Sequence, residues 1–360
     1  MVPHDPPANR YTVGVMRMRT LGRTGLRVSE LALGGLFTSS LGGGVEATRL
    51  MIRRALDAGI NYIDTAPGYA DSERVLGEAL AGMDLAGTPL ILSTKLGGRP
   101  QPFDPQDREA LMCSVEESLK LLRRDTIDIL MVHEPDRPLQ YNWWSDPDAV
   151  YGPVIEVLDE LKEDGVIRFT GLGGTTCAEL AHCIRCGRFD VVLTAFNYSV
   201  LFREAEHEVI PAAKEQGMGI IIASALQQGG LGRRYDDAVR QKPPWLSKPR
   251  QQQFLALYEL LDDLGMPLPE LCLRFVLSNP DISCVLTGPK HVQHVDEGIA
   301  IAQGGPLPPD VMDRVNRIAA MVPFRPFEEP MLLPFNKPYY GPGMANLGLG
   351  VQVGKLPESG

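Results

Sequence analysis

The chain has 360 residues but only six cysteines, and none of them falls in framework spacing, so a disulfide-stapled secreted fold is excluded and a reducing cytoplasm fits better. Cys183 and Cys186 make one C-x-x-C inside a helical pattern. No second ligand pair stands at usable spacing, so neither a zinc site nor any other metal site is expected. No apolar run approaches the roughly 18 residues of a membrane span. The net charge is −10, 35 basic against 45 acidic residues, with no basic block. Electrostatic capture by nucleic acid or an anionic membrane is therefore not indicated. Residues 1–15, MVPHDPPANRYTVGV, lack a charged stretch followed by an apolar one, so they read as a flexible leader (1–17) and not a secretory signal. The G-x-G-x-x-G run of a doubly wound nucleotide fold is also missing after the first apolar run, since the glycines of LALGG and SLGGGVEA are irregularly placed.

What is present is alternation. Eight short apolar runs are separated by segments of helical period: LALGG from Leu31, INYID to Asp64, LILSTK to Lys95, IDILMVH to His133, VIRFTGLG from Val166, VVLTAF from Val191, GIIIAS from Gly219 and SCVLTG to Gly288. This order predicts a parallel sheet, and eight strands predict a (β/α)8 TIM barrel over residues 18–322. Leu111, Val115, Leu119 and Leu122, then Val154, Leu158 and Leu161, give helices with one apolar stripe. Gly59, Gly165 and Gly217 stand where helices must end before the next strand. RTLGRTGLRVSE reads as an N-terminal β-hairpin plugging the barrel bottom. Residues 323–360, with VPFRPFEEP and FNKPYYGPG, form an irregular tail rich in proline and aromatics, suited to lie over the barrel mouth or on a neighbouring subunit.

Active sites of such barrels lie where strands end, so ionisable residues there carry the most weight. Three successive strands end in Asp64, Lys95 and His133, and Tyr69 follows Asp64 in TAPGYA. Carbonyl reduction needs a proton donor at the substrate oxygen, and an ordinary tyrosine with pKa about 10 is sluggish at neutral pH. A neighbouring Lys95 ammonium would stabilise the tyrosinate, Asp64 would hold that lysine, and His133 would hydrogen-bond the oxygen. A structural Asp64–Lys95 salt bridge beside packed His133 and Tyr69 is the plainer alternative. Four such residues at adjacent strand ends favour chemistry.

GINYIDTAPGYADSERVLGEAL, LSTKLG and DILMVHEPD resemble, in order, the segments of the aldo-keto reductase superfamily that carry its catalytic Asp, Tyr, Lys and His. The resemblance runs from about Arg19 to Ile318. It implies a carbonyl reductase or alcohol dehydrogenase that uses NADP, with NAD left open. FDVVLTAFNYSVL and IIASALQQGGL resemble the branch of aldose and galactose dehydrogenases, which implies a small carbonyl or sugar substrate and a place in carbohydrate metabolism. Carried over residue by residue, the carboxamide positions read Gly173, Gly174 and Ala195, and the position of the stacking aromatic reads Ala223, so the usual side chains are absent. Asn197 or Tyr198 is expected to compensate. Ser224, Leu226 and Gly230 fall beside the pyrophosphate; Gly288, Lys290, His294 and Glu297 match the adenosine segment, Lys290 favouring a 2′-phosphate. Trp143, Trp144 and Trp245 lie in loops expected at the mouth, where exposed aromatics stack on sugars, or else they pack those long loops. Two other classes stay open: a Schiff-base barrel enzyme using Lys95, and a cofactor-binding regulatory subunit with little turnover. Self-association is also left open.

Overall fold

The computed structural model describes residues 16–85, 87–99, 101–325 and 329–335. Strands β1 (Met18–Thr20) and β2 (Arg27–Ser29) pair antiparallel around a tight turn at Gly22–Thr24. The chain then alternates β3 (Leu31–Gly34), α1 (Gly44–Asp57), β4 (Tyr62–Asp64), α2 (Ser72–Ala81), β5 (Ile91–Leu96), α3 (Arg108–Leu122), β6 (Ile127–His133), α4 (Pro153–Glu163), β7 (Ile167–Gly174), α5 (Cys177–Arg185), β8 (Val191–Ala195), α6 (Val209–Glu215) and β9 (Gly219–Ala223). Helices α7 (Asp236–Gln241), α8 (Lys248–Leu264) and α9 (Leu268–Leu277) precede β10 (Cys284–Thr287), and α10 (Val292–Gln303) and α11 (Pro309–Ala319) follow it. Strands β3 to β10 close into a barrel in sequence order, all pairs parallel. The expected barrel is what the chain forms, with strand limits within two residues of those read from the apolar runs.

Alternation along the strands divides the core in two, since successive side chains point to opposite faces. Outward residues such as Ile63, Leu92, Leu130 and Leu172 pack under the helices, while Tyr62, Ile91, Ile129, Met131 and Ile221 fill the barrel. Gly59, Gly165 and Gly217 take left-handed backbone at φ 87°, 72° and 64°, ending their helices as expected. Among the described residues no helix is long and apolar enough to cross a membrane, and no group of three His, Cys, Asp or Glu is placed to hold a metal ion.

The hairpin seals the floor. Leu21 and Val28 are fully buried within the interior cluster. Arg19 ties the hairpin to the last barrel strand's approach, donating to the carbonyls of Leu277 (2.6 Å), Asn279 (2.8 Å) and Ile282 (2.7 Å). Gly22 has φ 49°, and a side chain there would begin 2.1 Å from the Gly219 nitrogen. Gly22→Ala is therefore expected to lower stability by about 2 kcal/mol or more through overpacking and left-handed strain. Urea unfolding monitored by circular dichroism checks this; an unchanged midpoint would mean the floor is loose.

Candidate active site

The rim at the strand C-termini gathers the four expected residues. Lys95 Nζ, at the end of β5, donates to Asp64 Oδ2 at 2.7 Å and to the Thr65 carbonyl at 2.8 Å. Asp64 Oδ1 accepts from Ser93 Oγ at 2.7 Å, and Ser93 Oγ accepts from the Tyr62 hydroxyl at 2.8 Å. The lysine and aspartate side chains are 1% and 2% exposed, so the pair is sealed from water. The same ammonium lies 4.7 Å from the centre of the Tyr69 ring, and His133 meets that ring edge-on at 6.0 Å.

The electrostatics follow from this enclosure. Burial disfavours the Lys95 ammonium, but the Asp64 carboxylate and Tyr69 carry its pKa above the usual lysine value. Burial raises the Tyr69 phenol, against the lowering effect of Lys95 and with a further rise from Asp64. The lysine is thus a brake on the rise and does not produce the net acidification the sequence suggested; desolvation outweighs it. Burial, with the cations Lys95 and Arg137, pushes His133 down to about 3, leaving a neutral imidazole at physiological pH.

Two carboxylates that sequence reasoning passed over complete this rim. Glu134, directly after His133, has φ 51°; its amide donates to the Gly173 carbonyl at 2.7 Å. Its carboxylate accepts from Thr175 Oγ1 at 2.8 Å and faces Arg137 at 3.5 Å. Burial and the neighbouring Asp136 push it up to about 7. Asp136 accepts from the Thr175 amide at 2.7 Å and from the Thr176 amide at the start of α5, while its Oδ1 is buried without a partner. The run HEPD held the signal: two acids at a strand end, where the adjacent strand's loop can bury them.

Of the positions expected around a dinucleotide, Gly173 lies against the Lys95 stem, where a Cβ would meet Cε at 3.5 Å, and Gly174 against the Asp136 carboxylate. Asn197 is buried, and its Nδ2 donates to the Thr175 carbonyl at 2.6 Å. Tyr198 is buried too, its hydroxyl accepting from Asn279 at 3.0 Å, so it does not stand in at the mouth. Ala195 and Ala223 pair side by side in β8 and β9. Ser224 and Leu226 are half-buried in the loop after β9, whereas the space beside Gly230 is filled by Leu333 from the tail. Gly288, Lys290, His294 and Glu297 cluster at the start of α10: Gly288 adjoins Phe37, Lys290 Nζ lies 4.5 Å over the Phe37 ring, the Lys290 amide donates to His294 Nδ1 at 3.2 Å, and Glu297 accepts from Gln293 at 3.0 Å. The N-cap residue of that helix, His291, makes no capping bond with its side chain.

The tryptophans take the second of the two roles open to them, packing the long loops. Trp143, Trp144 and Trp245 are 0%, 6% and 7% exposed and so are not open stacking faces. Trp143 donates to the His133 carbonyl at 2.9 Å and packs with Phe103 and Tyr141; Trp144 donates to the Pro135 carbonyl at 3.1 Å. Long loops bury their own large aromatics once the indole N–H finds an acceptor. Of the tail, residues 329–335 pack on the loops after β8 and β9. Residues 336–360, and 1–15 of the expected leader, lie outside the described residues.

The Aldo/keto reductase family model matches residues 38–320. L-galactose dehydrogenase of Arabidopsis thaliana is 30% identical over 295 residues, covering 79% of this chain and 88% of that protein. NADH-specific methylglyoxal reductase of Escherichia coli is 28% identical over 320 residues, covering 79% and 93%. Among solved structures, the holo form of aldo-keto reductase AKR11C1 from Bacillus halodurans superposes with a TM-score of 0.67 at 26% identity, covering 84% of this chain and 96% of that one.

Adjacent residues here respond to pH in opposite directions. Glu134, raised from 4.5 to about 7, stabilises the fold fully below pH 4.5 and loses that contribution as pH rises through 7. His133, lowered from 6.5 to about 3, contributes fully above pH 6.5 and loses its contribution as pH falls. Between these limits the slopes oppose. Urea unfolding across this window is expected to show Glu134→Gln losing stability on acidification and His133→Gln gaining it; parallel slopes would contradict the burial of one of the two.

Proposed function

The chain belongs to the aldo/keto reductase family, and on that premise we propose that it interconverts a carbonyl and an alcohol with a nicotinamide dinucleotide, Tyr69 moving the proton at the substrate oxygen. The observation that carries this reading is the meeting of Tyr69 and His133 over a sealed Lys95–Asp64 pair. When bound, the dinucleotide supplies hydride to the carbonyl carbon or accepts it in the reverse direction.

In reduction, Tyr69, kept protonated by burial, donates its proton to the substrate oxygen. The Lys95 ammonium stabilises the phenolate left behind, and Asp64, itself held by Ser93, keeps that ammonium in place. His133, neutral, offers a ring N–H to the same oxygen. Trp143 fixes the strand end beneath it through the His133 carbonyl. In oxidation the phenol must first lose its proton, so alcohol oxidation is expected to accelerate as pH rises.

The residues fit a dinucleotide. A helix N-terminus whose N-cap side chain makes no capping bond, with Lys290 and His294 beside it, is suited to phosphate. The Lys290 ammonium favours NADP; Glu297, tied to Gln293 beside it, leaves NAD as the alternative. Gly288 belongs to the same seat. At the other end, Ser224 and Leu226 line the loop after β9, while Gly173, Gly174 and Asn197 border the nicotinamide side, and Gly230 makes room for the tail. A sugar or related aldose substrate is supported by the likeness to L-galactose dehydrogenase and by Glu134, a rim carboxylate able to accept from a hydroxyl. We also read the protein as cytoplasmic, in keeping with six free cysteines. The Schiff-base reading loses support, because that chemistry needs a neutral amine and Lys95 is held charged by its ion pair. A regulatory subunit would bind dinucleotide without turnover, which the assay below separates.

Tyr69→Phe is expected to lower kcat about 100-fold or more while leaving NADPH affinity by fluorescence titration nearly unchanged. Undiminished turnover of an aldose or aldehyde panel would reject the assignment. Lys290→Ala is expected to weaken NADPH about tenfold and NADH hardly at all. Equal effects on both would remove the 2′-phosphate role.

A further inference from the structure

The loop after β9 is conformationally demanding. Ser224, Gln227 and Gln228 all sit in left-handed backbone, at φ 56°, 50° and 48°, followed by Gly229 at 94°. Non-glycine residues enter that region at a cost, so such a turn persists only when its surroundings over-determine it. Its internal backbone ties include Gln227 to the Ser224 carbonyl (2.8 Å), Gly229 and Leu231 to the Leu226 carbonyl (3.0 Å each), Gly230 to the Gln227 carbonyl (3.0 Å) and Gly232 to the Gly229 carbonyl (3.1 Å), and the Gln227 side chain reaches the Phe196 carbonyl (2.9 Å).

Further support comes from a segment a hundred residues away. Glu329 forms an ion pair with Arg250 at 2.9 Å, both side chains almost wholly buried, which anchors the tail against α8. Arg325 donates to the Met331 carbonyl at 2.9 Å, and Leu332 packs on Phe196. Beyond this anchor, the described part of the tail meets the loop after β9 through Leu333 and Phe335. Leu333 occupies the place where a side chain at Gly230 would stand, its Cβ only 2.7 Å from that position. Phe335 stacks flat on Tyr235, rings 4.5 Å apart at 9°, and meets Trp245 and Phe254 edge-on at 5.0 Å and 5.4 Å. Tyr235 in turn donates to the carbonyl of Gly229, at the end of the left-handed stretch, at 2.9 Å.

We infer that Leu333 and Phe335 are positioning residues that hold the loop after β9 in its ligand-facing shape, so that the C-terminal segment sets how long a dinucleotide stays bound. This rests on the reading of Ser224 and Leu226 as dinucleotide neighbours. A loop held in one shape before binding spares the ligand the ordering cost, and loosening it shows mainly as faster release.

Phe335→Ala in the full chain removes the stack and leaves the Arg250–Glu329 anchor intact; Phe335→Tyr keeps the stack and serves as the conservative control. Amide exchange over residues 224–235 and stopped-flow NADPH release are the readouts. Phe335→Ala is expected to speed exchange of the apo loop about tenfold and NADPH release at least fivefold, with the single-turnover rate at saturation within twofold of wild type. Phe335→Tyr is expected to restore both. Leu333→Gly, a second and independent loss of contact, should reproduce the faster release. If NADPH protects residues 224–235 in the wild type but release is unchanged in Phe335→Ala and Leu333→Gly, the inference alone falls. If NADPH protects none of that loop, the dinucleotide reading of the loop falls and takes the inference with it.

Discussion

One ammonium group organises the mouth of this barrel. Lys95 Nζ is held by Asp64 and the Thr65 carbonyl in a site almost without water, and from there it acts on everything nearby. It restrains the rise of the Tyr69 phenol, and it helps keep His133 uncharged. Removing either partner of such a buried pair leaves a naked charge and costs roughly 3–5 kcal/mol, so the pair is structural as much as chemical. The four rim residues therefore behave as one electrostatic unit, in which a change at any of them moves the others.

Around that unit the backbone is strained in a regular way. Ala70 after β4, Glu134 after β6, Phe196 after β8 and Ser224 after β9 all adopt left-handed φ between 51° and 69°. Such conformations are maintained by what packs on them: Thr175 and Arg137 on Glu134, Leu332 on Phe196, the tail on the loop after β9. The rigid strands place the groups, and the loops keep them aimed.

The strands and the four rim residues were legible because both signals are local. An apolar run of four to seven residues before a charged one needs no knowledge of the rest of the chain. What escaped reading depends on distant neighbours. Glu134 is pushed up to about 7 by burial and by Asp136, and it is enclosed only once the chain just past β7 brings Thr175 beside it, 41 residues on. The tryptophans look like mouth residues until the loops fold over their indole rings and the N–H groups find the carbonyls of His133 and Pro135. Gly230 reads as room for a phosphate, yet the room is taken by Leu333, about a hundred residues later. Asn197 is committed to a backbone carbonyl that no sequence motif would suggest.

The floor of the barrel carries a consequence for biosynthesis. Leu21 and Val28 are made early, but Arg19 finds its carbonyl acceptors only at residues 277–282, and β3 meets its neighbour β10 only after residue 284. At typical elongation rates of about 5–20 residues per second, the hairpin waits on the order of 15–50 seconds for these last partners. The barrel closes only through β10, the last strand made, which bridges β3 and β9.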